Sequence, residues 1–223
     1  MNAFNMILTP MIADQYHKKN YKQLEELFRV NTKWGIYCVI PLVLLIMFAA
    51  GDIMTVLFGS EYSGGAVALQ ILTIGQFINI ATGATGIMLI MTGHQQEWFR
   101  LSVLIVIVNI ILNLTLIPRF GIEGTAIATA STVGGLFALG LLIVRHTLHM
   151  WPYDRRYIKG LVAAGATVVA LLLIATLPLS PLLNVIISTA ASGIVFVGVL
   201  LLQGLDSEDK AFINLIRKRV RPT

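Results

Sequence analysis

Residues 109–129 read NIILNLTLIPRFGIEGTAIAT and join two apolar runs through a short turn. The first run ends at Pro118, whose ring disfavours helical geometry in the preceding residue, so a helix is predicted to stop there. Gly121 and Gly124 then supply the turn, because glycine adopts backbone conformations that other residues avoid. The second run is rich in small residues. The stretch therefore predicts a hairpin of two membrane helices.

Apolar residues dominate the whole chain and not only this hairpin. Of its 223 residues, 57% are hydrophobic and 12% are charged, and the mean hydropathy is +0.82. Such values indicate an integral membrane protein. A net charge of +5 can indicate a nucleic-acid partner, but here the basic residues lie in loops between apolar runs and not on one soluble face. We therefore predict no nucleic-acid partner. The single cysteine, Cys38, lies inside an apolar run and is expected to be a small core residue.

The fold is predicted to be all-α, a polytopic membrane helix bundle with about six full transmembrane helices and a truncated N-terminal helix. Only helices and closed barrels satisfy their backbone hydrogen bonds in lipid, and these runs lack the period-two alternation of barrel strands. Each run is about 17 to 27 residues long, which is the length that a bilayer requires of a helix. The six predicted spans are 34–57, 66–92, 101–117, 125–144, 160–177 and 182–202.

Other parts of the chain carry their own signals. Residues 1–13 are apolar, but as a helix they would reach only about 20 Å, against a hydrocarbon core of about 30 Å. Apolar residues recur at helical spacing among the charges of residues 14–33, which predicts an amphipathic helix at the membrane interface. Pro41, inside the first span, is expected to kink that helix.

The basic residues predict an orientation. If residues 14–33 are cytoplasmic, 15 of the 16 Lys and Arg residues fall on the cytoplasmic side, and Arg119 alone lies opposite. This asymmetry follows the positive-inside rule. Residues 205–223 are then a basic cytoplasmic tail, and we expect it to rest on anionic lipid headgroups.

Four of the amide side chains inside the predicted spans are candidate site residues. Asn109 and Asn113 are one helical turn apart, and Gln76 and Asn79 share a face of the second span. An amide that faces lipid tails goes unsatisfied, so these groups are expected to face protein or water. Two interpretations remain open: the four side chains line a hydrophilic substrate path, or they hold helices together by interhelical hydrogen bonds.

Small residues follow one face of the fourth span. Ala126, Ala130, Gly134 and Ala138 recur at four-residue spacing, which allows two helices to approach closely in lipid. The pattern predicts tight helix packing. A gliding surface for alternating access is the alternative.

The sequence carries no signature of catalytic chemistry. It contains no P-loop, nucleophile elbow, H-E-x-x-H motif or paired intramembrane carboxylates. His146 and His149 lie three residues apart, but without further ligands they make a poor metal site. We therefore predict no catalytic residues, no metal, no cofactor and no enzymatic activity.

The motifs of the chain resemble those of a known family. LIPRFGIEGTAIAT, with LFGSEYSGGA and MTGHQQEWFR before it, is similar to the signatures of bacterial polysaccharide exporters. These are lipid-linked oligosaccharide flippases of the multidrug/oligosaccharidyl-lipid/polysaccharide superfamily. Members have two bundles of six helices, and many add two helices at the C-terminus. By that plan, residues 1–150 are the C-terminal bundle lacking its start, residues 151–204 are the added helix pair, and the tail follows.

The resemblance also implies a function. Such proteins move a lipid-linked oligosaccharide or polysaccharide precursor across the bacterial cytoplasmic (inner) membrane by alternating access. The implied partners are membrane lipids, the lipid-linked glycan and an N-terminal half or other subunit, so we expect this chain to be a C-terminal portion. One alternative is a multidrug or toxic-compound extruder of the same superfamily. The other is a membrane-embedded glycan polymerase, which the short outer loops argue against.

Overall fold

The computed structural model describes residues 2–204 of the chain, with side chains from residue 8 onward, so the prediction for the tail, 205–223, lies outside the described residues. The described part is almost entirely helical and contains no strand, which confirms the predicted all-α fold. Its helices are α1 (Asn2–His17), α2 (Tyr21–Phe58), a 3-10 helix (Ser60–Gly65), α3 (Ala66–Ala81), α4 (Thr85–Met91), α5 (Gln95–Leu148), α6 (Tyr157–Ala175) and α7 (Pro181–Leu202).

The long α5 is the predicted hairpin. Its backbone leaves helical geometry at Gly121, where φ is 55° and ψ is −125°. The two limbs, α5a (95–120) and α5b (122–148), run antiparallel, because Asn109 bonds to Thr132 and Ile105 lies beside Gly135. Each limb is about 40 Å long at 1.5 Å per residue, enough to cross a bilayer. The hairpin prediction is confirmed.

The first limb does not end where the proline predicts. Helical structure continues through Pro118 to Phe120, so the predicted stop at residue 117 is wrong. Pro118 removes one backbone hydrogen bond and strains the preceding turn, but it does not end the helix here. The chain reverses at Gly121, whose positive φ glycine adopts readily. Gly124 is required for another reason: a Cβ there would overlap the carbonyl of Leu116 on the opposite limb.

The second predicted span is broken rather than continuous. α3 ends at Ala81, and α4 begins at Thr85 after a break at 82–84 in which Gly83 has φ +72°. A side chain at Gly83 would collide with Thr32 of α2, so glycine is needed both for its backbone angle and for this close contact. The prediction of one helix over 66–92 is therefore corrected to two.

The N-terminal part of α2 also differs from the prediction. Residues 21–33 are continuous with the first span in one helix that begins after Asn20, whose side chain accepts a hydrogen bond from the Gln23 amide. No separate interfacial helix covers 14–33, because nothing in the sequence near residue 33 interrupts helical hydrogen bonding. The backbone of α2 departs from helical angles at Ala49 and not at Pro41. Cys38 is exposed and not part of the core.

The helices pack in a defined order. α2 contacts α3 on one side and both α6 and α7 on the other, and α3 in turn packs along α5. One apolar core lies where α1, the start of α2, α4 and the end of α5 meet, with Ile12, Phe28 and Met88 fully buried. A second core joins α2 to α6 and α7. The division into 1–150 and 151–204 stays a prediction.

Small residues mark the contact between α3 and α5b. A Cβ built on Gly75 would lie 2.6 Å from the Cα atom of Ala130, so the two backbones nearly touch. One turn along, a Cβ on Gly134 would lie 3.2 Å from the Ile78 side chain. Two of the four predicted ladder positions thus lie at this contact, and Ala126 is buried.

We expect Gly75→Ala to destabilise the protein by about 1–3 kcal/mol, because the new methyl group would force α3 away from the backbone of α5b. Gly165→Ala on α6 is the matched control, since nothing lies within 4 Å of a Cβ at that position. Its midpoint of thermal unfolding in detergent should be unchanged or slightly raised. Equal losses of thermal stability in both variants would show that the close contact at Gly75 is not a determinant of the fold.

Candidate functional site

Two of the predicted path residues lie on α3. The Gln76 side chain is exposed and Asn79 is half-buried. The Asn79 amide donates a hydrogen bond of 3.2 Å to the Gln76 carbonyl oxygen, so the two side chains act as a polar pair. An exposed amide within a membrane span is costly against lipid tails. This face of α3 therefore suits water or a further polar protein surface.

The other two predicted residues connect the limbs of α5. Asn109 donates to the Thr132 hydroxyl on α5b at 2.9 Å. Asn113 donates to both the backbone and side-chain oxygens of Asn109, at 2.8 and 3.1 Å. Thr132 is buried, and its hydroxyl donates a hydrogen bond of 2.7 Å to the Ala128 carbonyl. Asn109 therefore has a partner across the hairpin, whereas Asn113 bonds to Asn109 within its own limb.

The four amides thus form two pairs with different surroundings. Among residues 8–204, no hydrogen bond joins the pair on α3 to the pair on α5a. The α3 pair is the more exposed, whereas the α5a pair is tied to the neighbouring limb. The Gln76–Asn79 pair is thus bonded within α3, and Asn109 is bonded across the hairpin; the roles of the four residues stay predictions.

Two further polar contacts between helices were not singled out from the sequence. Gln70, also on α3, donates to the Met47 carbonyl of α2 at 2.9 Å. Asn184 of α7 donates to the Asp52 carboxylate on α2, and Ser188 donates to the Asn184 carbonyl oxygen at 3.0 Å. Their polarity within apolar runs is the signal that could have identified these residues. Their partners could not be predicted, because they lie far away in sequence.

A connecting segment, residues 149–156, crosses the helix ends between α5 and α6, and we call it the strap. Arg156 pairs with Glu26 of α2 at 2.6 Å, and its backbone carbonyl accepts a hydrogen bond of 2.9 Å from the Tyr37 hydroxyl. The Arg145 guanidinium lies 4.8 Å from the centre of the Trp151 ring, within cation–π range. The strap is therefore fixed to both α2 and α5b.

Tyr153 of the strap reaches the break in the second span. Its hydroxyl donates a hydrogen bond of 2.9 Å to the Ala81 carbonyl, the last residue of α3. Burial raises the pKa of the Tyr153 hydroxyl above its ordinary value near 10. The hydroxyl therefore keeps its proton, and remains a donor, throughout the physiological pH range.

The architecture defines a multi-pass α-helical membrane protein. Five helical segments are long and apolar enough to cross a membrane, and α5 holds two limbs of that length. Most of the large exposed side chains on α5a, α6 and α7 are aliphatic, as lipid-facing surfaces require.

Comparison with known proteins finds several that are similar to part of the chain. No family model matches the chain. It is 30% identical to the probable low-salt glycan biosynthesis flippase Agl15 of Haloferax volcanii over 142 residues, 62% of this chain and 29% of that protein. It is 25% identical to the capsular polysaccharide biosynthesis protein CapF of Staphylococcus aureus over 126 residues, 56% of this chain and 32% of that protein.

A third relative is the lipid II flippase MurJ of Bacillus subtilis, 26% identical over 159 residues, which are 65% of this chain and 27% of MurJ. The chain spans about a third of the length of the curated relatives that it matches. These relatives confirm the resemblance to glycan flippases that the sequence motifs indicate.

A double-mutant cycle tests the bond between the limbs. We expect Asn109→Leu and Thr132→Val to show a coupling energy of about 0.6 kcal/mol in thermodynamic stability, the average for hydrogen bonds between membrane helices. Asn109→Leu with Thr115→Val is the control, because Thr115 bonds only to its own helix, at Ile111 and Leu112. A coupling no larger than that of the control pair would contradict the assignment of Asn109 to helix pairing.

Proposed function

We propose that this chain takes part in moving a lipid-linked oligosaccharide or polysaccharide precursor across a membrane, by alternating access and without covalent chemistry. The observation that carries the proposal is the exposed amide pair Gln76–Asn79 on α3, in a chain whose relatives are named as flippases. Amide groups bond readily to sugar hydroxyls, both as donors and as acceptors. A polar face within a membrane span is better matched to the sugar groups of a glycan than to lipid tails.

The two amide pairs have different parts in this proposal. Gln76 and Asn79 belong to the substrate path, with Asn113 at its margin, while Asn109 holds α5a against α5b. The ladder of Ala126, Ala130, Gly134 and Ala138 serves close packing, and its contacts with Gly75 and Ile78 favour that role over a gliding surface.

A further helix bundle is part of the proposal. Alternating access needs two halves that move against each other around a site between them. A pyrophosphate-linked head also needs cations, and the predicted membrane runs 34–57 and 66–92 contain neither Lys nor Arg. We therefore propose that the cations and the second half come from another bundle, as a longer polypeptide or a separate subunit.

We further propose that the protein lies in the bacterial cytoplasmic membrane, with its C-terminus in the cytoplasm and with membrane lipids and the lipid-linked glycan as its partners. The distribution of Lys and Arg supports the orientation. The proposal assigns no enzymatic step and no nucleic-acid partner to the chain.

Reconstitution tests the function. Liposomes carrying a fluorescent lipid-linked oligosaccharide should show transbilayer movement when the chain is present with the other bundle, and none above protein-free vesicles when the chain is alone. Movement by the chain alone would contradict the need for a second bundle. Movement of a fluorescent cationic drug, with none of the glycan lipid, would replace the proposed substrate with that of an extruder.

Substitutions of two glutamines on α3 test the role of Gln76 in the same liposome assay. We expect Gln76→Leu to lower transport by roughly tenfold, which corresponds to a lost contact of about 1.4 kcal/mol, while thermal stability is unchanged. Gln70→Leu is the matched control: it removes the bond to Met47, so stability should fall by about 0.6 kcal/mol while transport per folded molecule persists. The opposite pattern would remove Gln76 from the path.

Thiol labelling tests the orientation in whole cells. In a Cys38→Ala background, Ser63→Cys should react with an impermeant thiol reagent added outside, since Ser63 is exposed between α2 and α3. Arg155→Cys, exposed on the strap, should react only after the membrane is permeabilised. The reverse labelling pattern would overturn the proposed topology.

A further inference from the structure

The carbonyls around the break in the second span have an unusual set of donors. Backbone amides serve two of them: Thr82 donates to Ile78 and Gly83 donates to Ile80, both at 3.0 Å. The hydroxyls of Thr82, in the break, and of Thr85, the first residue of α4, serve the carbonyls of Asn79 and Thr82. A helix end leaves carbonyls without a donor in the helix, and these four find one close by in sequence.

The carbonyl of Ala81 is different, because its donor comes from another part of the protein. The Tyr153 hydroxyl of the strap reaches it at 2.9 Å, across 72 residues of sequence. The Tyr153 ring is itself held edge-on between Trp151 and Tyr157, with ring centres 5.3 and 5.5 Å away. The donor is therefore presented from a fixed position.

The strap contacts elements on both sides of the break. The strap is anchored to α2 through the Arg156–Glu26 pair and the Tyr37 bond. The strap residues Met150, Trp151 and Tyr153 also pack on the core that α4 forms with α1 and the end of α5b, around Met88 and Val144. The bond between Tyr153 and Ala81 thus ties the end of α3 to the frame that α2 provides.

The backbone at the break has little resistance of its own to bending. Residues 82–84 lack the regular ladder of a helix, and Gly83 has no side chain to limit its angles. Hydrogen bonds near the break contribute to its geometry, and two contacts with other elements add to them: the packing of Gly83 on Thr32 and the Tyr153 bond. Removing either contact lowers the cost of changing the angle between α3 and α4.

We propose that residues 82–84 form a hinge between α3 and α4, and that the hydroxyl of Tyr153 is the latch that holds this hinge in the observed geometry. The latch couples the strap to the second span. It goes beyond the transport proposal, because it does not depend on which substrate the protein moves.

Tyr153→Phe removes only the hydroxyl and keeps the stacked ring. In the purified full-length chain, we expect amide hydrogen exchange in residues 78–91 to accelerate by roughly tenfold, the effect of leaving one buried acceptor without its donor. Tyr157→Phe is the matched control, since the Tyr157 hydroxyl bonds to the Pro152 carbonyl within the strap. Exchange in residues 78–91 should be unchanged in that variant.

A distance measurement gives a second, independent result. Spin labels at Leu72→Cys on α3 and Ile90→Cys on α4, both exposed positions, span the hinge in a Cys38→Ala background. Tyr153→Phe should broaden or shift the distance distribution, and Tyr157→Phe should leave it as in the parent. Unchanged exchange and distances in Tyr153→Phe, or equal changes in both variants, would overturn the latch. Failure of transport in liposomes would leave these two measurements unaffected.

Discussion

Every backbone amide and carbonyl within a bilayer must find a partner inside the protein, because lipid tails offer none. The structure depends on how the chain meets this requirement where its helices are interrupted. At Gly121, the reversal brings two limbs close enough for Gly124 to lie against the Leu116 carbonyl. At Gly83, threonine hydroxyls and a distant tyrosine supply the donors.

The same requirement governs the polar side chains. Thr132 accepts from Asn109 and donates to a carbonyl of its own helix, so its hydroxyl serves as both acceptor and donor. Asp52 receives the Asn184 amide and thereby ties α7 to α2. Gln76 has only its neighbour Asn79, since α3 turns this face away from the helices described. Its exposure sets it apart from the amides that join helices.

The sequence predicts those features that depend on local chemistry. Apolar runs of membrane length predict the all-α fold, and the Pro and Gly residues of 116–124 predict the hairpin. The break at 82–84 was missed because no proline marks it. The left-handed angle of Gly83 and its contact with Thr32 depend on tertiary packing. Polarity likewise identified Asn109 as a candidate site residue, but only the register of the hairpin assigns Thr132 as its partner.

The carbonyls around the break take their donors from nearby threonines and from a distant segment. The hydroxyls of Thr82 and Thr85 are already directed at the carbonyls of Asn79 and Thr82. The donor to the Ala81 carbonyl comes from another element, and a tyrosine has the reach and the rigidity to provide one. Because burial also raises the pKa of Tyr153, its hydroxyl stays protonated. The link between the strap and the second span thus follows from satisfying a single carbonyl.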